Sequence, residues 1–486
     1  MPYVAGVDSS TQSTKVEIRD LTSGAVVASA DAPHPAVTPP CSEQEPERWW
    51  AAFELAWGRA AGQLVGGARE LVGISVAGQQ HGMVALDADD RPVHAAKLWN
   101  DTESAPDAAW LLGQLSPGDP RGDVEHRRAW ADAVGSVPVA AFTATKLSWL
   151  HRSHPDEWAR LARVMLPHDY LTHRLTGAYT TDRGDASGTG YWSPATGEYR
   201  WDILGIIDGD RDWSGTVPTV LGPLDTAGHW KGLAVAPGTG DNMGAALGLG
   251  LRGGDAAISI GTSGTAFAVS ETPTADPSGA VAGFADATGR FLPLVCTSNA
   301  AKVLDAVARL LGVDHDEFDR LALAAAGDVP VMLPYLDGER TPNRPGATGV
   351  LSGIRSDVSR EQFARAAVDG VACGLLDAFD ALRLHAPVTG SVVLTGGAAR
   401  SRALQAVLAG LLRSELGDDV PMVVADVAQA VATGAAVQAA AVVEETDHES
   451  IQLRWGLGTG TPLEGAVDSG DLRDRYAELR DAAQRV

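Results

Sequence analysis

Apolar and polar positions along the chain predict two similar strand–turn–strand units. Residues 3–7 are apolar, residues 8–13 form a small polar turn, and residues 15–19 resume an alternating strand pattern. Residues 256–269 repeat this order, with five apolar positions, a Gly-rich polar turn and a second strand. Two such units, each opening one half of the chain, predict a duplicated domain with its functional site between the two copies.

Strand and helix patterns alternate through the rest of the chain. Residues 71–77 and 83–86 read as strands, and residues 391–395 as a short buried strand. Helical periodicity occurs over residues 47–64, 144–152, 299–311, 361–384 and 402–416, and residues 431–443 read as a buried core helix. This mixture predicts the α/β fold class. The Gly-rich stretch 248–255 marks a boundary, which gives domains 1–249 and 250–486.

Composition narrows the class of protein. The chain of 486 residues has a formal net charge of -24, which argues against nucleic acid as a partner. Cys41, Cys296 and Cys373 are far apart and show no metal-ligand spacing, as expected in a reducing cytoplasm. The first residues lack the basic start of a signal peptide, and the run 431–443 is too short to cross a membrane. We therefore expect a cytoplasmic protein with no membrane partner.

The two turns have the residue types of a phosphate-binding loop. In the first, Ser10 and Thr11 follow Asp8, and small residues let backbone N–H groups and hydroxyls converge on phosphate oxygens. A carboxylate beside a phosphate requires a cation between them, so Asp8 predicts a Mg²⁺ ligand that acts through a water molecule. The second turn offers Gly261, Thr262 and Ser263. An ordinary hairpin turn is the alternative for each.

Asp241 precedes a predicted helix over residues 243–249. The helix dipole would favour its ionised form, and neighbouring glycines leave it accessible. These properties suit a general base that accepts a proton from a substrate hydroxyl. A helix N-cap without catalytic function is the alternative. One side chain cannot easily do both jobs, so with Asp241 as the base we expect Asn242 to supply some of the local polar bonding.

Polar side chains also follow several other predicted strands. Gln80 and His81 come after one strand, and Asn100 and Asp101 come after another. Amide, imidazole and carboxylate groups at strand ends match a polyol ligand, although ordinary loop polarity would give the same pattern.

A third polar turn is rich in glycine. Gly396 and Gly397 interrupt a buried strand before a helix, and they would let a flat ligand such as adenine approach the backbone. A strand-to-helix turn without a ligand is the alternative.

Taken in order, these motifs resemble the FGGY carbohydrate kinases. The family pattern is visible at residues 349–354, 362–363 and 366–369. Segments that resemble the xylulose-kinase branch of the family occur at residues 78–82, 99–101, 167–171, 181–190 and 333–342. The glycerol-kinase branch usually carries Arg-Glu-Thr where this chain has Gln80, His81 and Gly82. The resemblance runs from about residue 4 to residue 438 and therefore covers nearly the whole chain.

The resemblance implies two actin-like ATPase domains of the ribonuclease H type around an interdomain catalytic cleft. It implies ATP and Mg²⁺, with Asp241 as the base, Asp8 at the metal and Thr262 with its neighbours as a second phosphate loop. Sugar contacts would come from Gln80 and His81, with Asn100, Asp101 and Asn242 nearby, and adenosine contacts from Gly397 and Ser401.

The implied reaction is phosphorylation of D-xylulose by ATP. Another ketose or polyol, such as ribulose, and a non-catalytic actin-like sugar sensor remain alternatives. The expected partners are a small sugar and ATP, and a homodimer is one option for assembly.

Overall fold

The computed structural model describes residues 2–64, 67–119, 122–463, 465 and 470–483. The chain forms two compact units. The first comprises Met1–Leu251, Glu271–Leu292 and Val427–Gly458, and the second comprises Arg252–Ser270, Pro293–Asp426 and Thr459–Val486. The first stretch of unit one ends close to the boundary predicted at residue 249. Two segments of the predicted second domain, however, belong to unit one.

Strands are numbered in chain order over the described residues. They are β1 Tyr3–Ser9, β2 Ser13–Asp20, β3 Val26–Pro33, β4 Glu43–Gln44, β5 Leu71–Gly78, β6 Val84–Leu86, β7 Ala96–Lys97, β8 Arg163–Met165, β9 Thr180–Asp182, β10 Trp192–Ser193, β11 Glu198–Tyr199, β12 Thr219–Leu221, β13 Gly228–Trp230, β14 Leu233–Val235, β15 Thr239–Gly240, β16 Ala256–Ile260, β17 Gly264–Ala268, β18 Ala282–Ala285, β19 Phe291–Thr297, β20 Val331–Leu333, β21 Val350–Ser352, β22 Val392–Thr395, β23 Met422–Ala425 and β24 Gly460–Pro462.

The helices are numbered in the same way. They are α1 Pro46–Ala61, α2 Ala105–Leu112, α3 Asp123–Val134, α4 Thr143–Ser153, α5 Pro155–Trp158, α6 Pro167–Thr176, α7 Arg183–Ala186, α8 Trp201–Ile207, α9 Asp241–Gly248, α10 Ala301–Leu311, α11 His315–Ala324, α12 Arg360–Arg383, α13 Arg402–Leu416, α14 Ala430–Glu444, α15 His448–Arg454 and α16 Leu472–Ala482. The mixture of strands and helices in both units confirms the predicted α/β class.

Unit one is built on a mixed, seven-stranded sheet. Six strands follow the order β13-β14-β5-β1-β2-β3, and β15 also pairs with β5. The hairpin of β1 and β2 is antiparallel, as the first strand–turn–strand pattern predicts, whereas β14 and β15 run parallel to β5. Apolar side chains on one side of the sheet form a core with α1, in which Trp49 and Phe53 are buried.

Helix α14 packs into unit one through very close backbone contacts with α9. A Cβ atom built on Gly434 would lie 1.8 Å from the carbonyl oxygen of Gly244, and one on Gly248 would lie 1.9 Å from that of Ala430. Only glycine permits this separation. The sequence predicts α14 as a buried helix, and the structure confirms it, but the Ala-rich run carries no signal for its partner.

Gln438 of α14 connects this helix to the end of the sheet. Its Oε1 accepts hydrogen bonds from Ser75 Oγ at 2.6 Å and from the backbone N–H of Gly238 at 3.1 Å. Its Nε2 donates to the carbonyl of Gly238 at 2.9 Å. Gln438 therefore fixes the backbone just before β15, which leads into α9.

Unit two contains the second mixed sheet, in which strands follow the order β19-β17-β16-β22-β23-β24. The hairpin of β16 and β17 is antiparallel and confirms the second strand–turn–strand pattern, while β22 runs parallel to β16. The long helix α12 begins at a capping box formed by Ser359 and Gln362. Among the described residues, no helix combines the length and hydropathy needed to cross a membrane.

Candidate active site

Three parallel strands of unit one end at the same edge of the sheet. Asp8 of β1 is in register with Ala77 of β5, and Thr239 of β15 is in register with the same Ala77. Gln80 follows the end of β5, and Asp241 follows the end of β15. The topology therefore brings together side chains that are far apart in sequence, at the edge where ligands of α/β sheets bind.

Asp8 is a buried carboxylate with one unused oxygen. Its Oδ2 lies 3.6 Å from Lys15 Nζ, whereas Oδ1 has no hydrogen-bond partner among the described residues. Burial raises the pKa of Asp8, although the neighbouring charge of Lys15 opposes the shift. An unpaired carboxylate oxygen in a buried position is the donor expected of a ligand for a hard cation such as Mg²⁺.

Ser10 and Thr11 form the turn after Asp8. Ser10 Oγ accepts from the backbone N–H groups of Gln12 and Ser13, both at 3.3 Å. Thr11 Oγ1 donates to Gln79 Oε1 at 3.1 Å and lies 3.1 Å from Trp99 Nε1, which donates to it. These bonds hold the turn against the strand end that carries Gln79.

Asp241 is the first residue of α9 and lies partly buried. Burial raises the pKa of its carboxyl group to about 7, with further contributions from the charges of Asp8 and Asp185. The helix dipole favours the ionised form of this carboxylate, and these effects oppose it. Desolvation and two nearby carboxylates outweigh the dipole, and they leave a carboxyl group suited to accept a proton near neutral pH.

Gly240, and not Asp241, is the N-cap of α9, and no side chain caps the helix there. The alternative that Asp241 serves only as an N-cap therefore does not hold. Asn242 Nδ2 donates to Asp241 Oδ1 at 2.9 Å and also forms a short hydrogen bond with Gln80 Oε1. Asn242 thus orients both the carboxylate and the neighbouring amide.

Three buried polar atoms in the segments that follow β5 and β7 lack a partner among the described residues. They are Gln79 Nε2, Gln80 Nε2 and Asn100 Oδ1. Leaving such an atom without a hydrogen bond costs about 1–3 kcal/mol. Two amide donors and one acceptor are therefore available for ligand hydroxyls.

Asp101 has a different environment from its neighbour Asn100. Its side chain is fully buried, and Oδ2 accepts from the backbone N–H of Ser42 at 2.9 Å and from Lys97 Nζ at 3.0 Å. Oδ1 accepts from the backbone N–H of Glu103 at 3.1 Å. Both oxygens are used within the chain, so Asp101 stabilises the loop that carries Asn100.

His81 is held in a defined orientation by unit one. Its backbone N–H donates to Asp185 Oδ1 at 3.0 Å, and its Nδ1 lies 3.1 Å from the same oxygen. The backbone of His81 adopts φ 58, a conformation that non-glycine residues rarely take and that often occurs at functional sites. Phe142 and Phe284 pack against its ring at centroid distances of 5.6 and 4.9 Å.

His168 lies fully buried among three carboxylates. Its Nε2 is 3.2 Å from Asp169 Oδ1, 3.2 Å from Asp182 Oδ1 and 3.5 Å from Asp185 Oδ2. Burial alone would lower the pKa of His168, but these charges raise it to about 9. A positively charged His168 stabilises Asp185 and hence the position of His81.

Prediction from sequence missed Asp185 and His168 as contributors to the site. The segments 167–171 and 181–190, which contain these residues, do resemble the family pattern. Nothing in their local sequence, however, assigns a role to either side chain. Asp185 and His81 are separated by 104 positions, so only the fold reveals their contact.

The predicted residues of unit two occupy the ends of its strands. Thr262 and Ser263 are exposed in the turn between β16 and β17, where Gly261 N–H donates to the carbonyl of Ser263 at 3.0 Å. The carbonyl of Gly261 accepts from the backbone N–H of Ala301, at the start of α10, at 2.9 Å. The hydroxyls of the turn remain on the surface of this unit.

Gly396 and Gly397 follow β22 and are exposed. Gly396 has φ 93, and a Cβ atom there would lie 2.6 Å from the carbonyl oxygen of Ile260, so the turn requires glycine. No atom within 4 Å would meet a Cβ atom on Gly397. Ser401 is the N-cap of α13, and its hydroxyl also donates to Asp319 Oδ1 at 2.6 Å.

Comparison with protein families identifies the class. Residues 3–248 match the N-terminal domain, and residues 256–443 the C-terminal domain, of the FGGY family of carbohydrate kinases. The chain belongs to this family, and its matched regions cover most of both sequence halves.

Individual relatives narrow the comparison. A xylulose kinase of Streptomyces coelicolor is 43% identical over 99% of this chain and 97% of its own length. A xylulose kinase of Haemophilus influenzae is 31% identical over 89% of each chain. The crystal structure of xylulose kinase from Bifidobacterium adolescentis has a TM-score of 0.84 at 38% identity and covers 99% of each chain. The fold and family implied by the sequence motifs are confirmed.

Proposed function

We propose that the protein transfers the γ-phosphoryl group of ATP to D-xylulose and forms D-xylulose 5-phosphate. The observation that carries this proposal is the position of Asp241 beside Gln80, Asn242 and Asp8 at one edge of a sheet. A carboxyl group with a pKa of about 7 can accept the hydroxyl proton while the oxygen attacks phosphorus. The names of the full-length relatives support xylulose as the acceptor.

The sugar is assigned to unit one. The free amide donors of Gln79 and Gln80 and the free oxygen of Asn100 would bind its hydroxyls, and His81 would contribute a further directional group. Trp99 is partly exposed beside Thr11 and offers an apolar surface to the carbon skeleton. In this assignment Asn242 orients Gln80 and the base, and Asp101 stabilises the loop of Asn100.

Asp8 fits a role in Mg²⁺ binding. Its buried Oδ1 has no partner among the described residues, and the carboxyl group of Asp241 adds negative charge nearby. Mg²⁺ supplies positive charge that offsets the phosphate oxygens when it is bound. Ser10 and Thr11 would position phosphate oxygens next to Asp8 through the hydroxyls and N–H groups of the turn.

The adenosine moiety of ATP is assigned to unit two. Gly396 and Gly397 expose backbone at the end of β22, where an adenine ring can approach closely, and Ser401 begins the next helix. Gly261, Thr262 and Ser263 would provide a second set of phosphate donors. A cytoplasmic location is consistent with three free cysteines, and a homodimer stays a prediction.

A coupled ADP-release assay across D-xylulose, D-ribulose, hexuloses and glycerol tests the proposal. We expect ATP-dependent turnover with the highest kcat/KM for D-xylulose. A clear preference for another acceptor would contradict the assignment of the sugar and leave the kinase class intact. ADP release that no sugar stimulates would contradict the catalytic function as a whole.

A further inference from the structure

A second group of metal-ligating side chains lies in unit one, outside the residues assigned to catalysis. It consists of His94, in the loop before β7, His154, between α4 and α5, and Glu157 of α5. One potential ligand atom of each lies within 4.8 Å of those of the other two. His94 Nδ1 is 2.8 Å from Glu157 Oε2, and His154 Nδ1 is 3.6 Å from the same oxygen.

We propose that His94, His154 and Glu157 form a binding site for a zinc-class divalent cation. Two imidazole nitrogens and one carboxylate oxygen are a ligand set typical of zinc, whereas Mg²⁺ prefers oxygen ligands alone. In a tetrahedral site with metal bonds of about 2.0–2.2 Å, neighbouring ligand atoms are roughly 3.3 Å apart. The observed separations lie on both sides of this value, so small side-chain rotations bring the three atoms into place.

The chain between His154 and Glu157 supports this geometry. The two ligands are three residues apart, with Pro155 at the first position of α5, so both project from a single helical turn. The ring of Trp149 packs against both imidazoles, at 4.5 Å from His154 and 5.3 Å from His94. These contacts restrict the orientation of both rings before any ion binds.

His94 also has the outer partner expected of a metal ligand. Its Nε2 is 2.9 Å from Glu43 Oε1, and the same oxygen accepts from Lys97 Nζ at 2.8 Å. A carboxylate that accepts the second ring N–H of a histidine fixes its tautomer and strengthens its bond to a metal. Nδ1 is then the nitrogen that faces Glu157 and His154.

The site is open to the solvent on one side. The side chains of His94, Glu157 and His154 are 14%, 30% and 35% exposed, so an ion can enter and retain water as a further ligand. A neighbouring cluster of Cys41, Glu43, Asp101 and Glu103 differs in that it already contains a cationic side chain. There, Lys97 Nζ lies within 3.0 Å of all three carboxylates and already supplies the positive charge.

Titration with Zn²⁺ and Co²⁺ tests this proposal on the full-length protein without an affinity tag, in the absence of nucleotide and with Mg²⁺ at millimolar concentration. We expect one Co²⁺ per chain at this site, with the intense visible absorption of a four-coordinate ion that contains nitrogen ligands, and displacement by Zn²⁺. Absence of saturable binding and of this absorption in the parent protein would overturn the proposal and leave His94 as a protonated bridge between two carboxylates.

Variants locate the site. His154→Ala and Glu157→Gln should each weaken Zn²⁺ binding at least tenfold, and Glu43→Gln should weaken it by about 10- to 100-fold, the usual effect of losing an outer partner. His229→Gln is the matched control, because His229 is an exposed histidine of unit one outside the cluster. Circular dichroism verifies folding. Equal affinity in the parent and in both ligand variants, each folded, would place the ion elsewhere and refute the proposal.

Discussion

Gly188 leaves the space that the imidazole of His81 occupies. A Cβ atom built on Gly188 would lie 1.7 Å from Cε1 and 1.8 Å from Nδ1 of that ring. The imidazole of His81 is buried in a well-packed interior. Neither this ring nor the backbone of Gly188 can move there without loss of other contacts. The glycine is therefore a direct requirement for the observed position of His81.

Gly188→Ala should consequently displace the ring and weaken its contact with Asp185. We expect kcat/KM for D-xylulose to fall by about 100-fold, the effect of a displacement of roughly 1 Å at a reacting centre, while the KM for ATP changes little. Gly205→Ala is the control, because a Cβ atom there meets nothing within 4 Å inside α8. Steady-state kinetics on both folded variants decides. Unchanged kcat/KM in Gly188→Ala would show that the position of His81 is unimportant for the sugar.

Asp241→Asn removes the proposed base and preserves the size of the side chain. Because an amide accepts no proton at neutral pH, turnover should fall by about 100- to 10,000-fold while the protein remains folded. Asp210→Asn, at an exposed aspartate of the same unit, should behave as the parent does. Single-turnover and steady-state rates measure the effect. A folded Asp241→Asn variant with turnover within a few-fold of the parent would exclude Asp241 as the base.

The pH dependence of turnover follows from the environment of Asp241. Since the pKa of this group is raised to about 7 and the base must be ionised, kcat should decline as pH falls through about 7. The charge of Asp185 contributes to the elevation, so Asp185→Asn should lower the pKa and move the acid limb of the profile to lower pH. Profiles of kcat measured between about pH 5 and pH 9 test this expectation. A limb that stays in place would contradict the proposed coupling.

Asp8→Ala removes the carboxylate assigned to Mg²⁺. We expect loss of activity and a weaker Mg²⁺ dependence of ATP binding, whereas binding of D-xylulose should be largely retained because other residues contact the sugar. Calorimetric titration of ATP with and without Mg²⁺ separates the two effects. If ATP binding in the variant depends on Mg²⁺ as it does in the parent, Asp8 has only a structural role in its turn.

His81→Ala tests how the acceptor is selected. Polar groups arranged for one hydroxyl pattern lose a partner when an epimer binds, at a cost of about 1–3 kcal/mol for each. D-xylulose should therefore exceed D-ribulose in kcat/KM by about tenfold or more in the parent, and the variant should reduce this ratio without a large change in ATP affinity. His229→Ala serves as a control. Equal kcat/KM for the two pentuloses in the parent would refute selection by this site.

Local patterns in the sequence were sufficient to predict some structural elements of the site. The two hairpins and the position of Asp241 at the start of α9 follow from short apolar runs and small turn residues, whose effects are local. The pKa of Asp241 could not be inferred in this way, since it depends on burial and on Asp8 and Asp185, which come from other strands and loops. Long-range contacts of this kind have no local signature.

The membership of α14 in unit one was likewise beyond the sequence pattern. An apolar, Ala-rich helix indicates burial, but it does not identify the partner of that helix. Gln438, for example, contacts Gly238, which lies 200 positions earlier in the chain. The role of Gln438 was also hidden, because a single polar residue in such a run has several ordinary explanations. Only the assembled sheet shows which backbone groups it bonds.

The late position of α14 in the chain affects how the protein is made. A ribosome synthesises residues 1–251 first, yet the helix that packs on α9 and β1 ends at Glu444. Unit one therefore cannot complete its packing until almost the entire polypeptide has emerged, and Gly6 and Gly244 remain uncovered until then. Premature termination anywhere before this helix yields a nascent chain without its last buried layer, which makes it a substrate for chaperones and proteases instead of a smaller working enzyme.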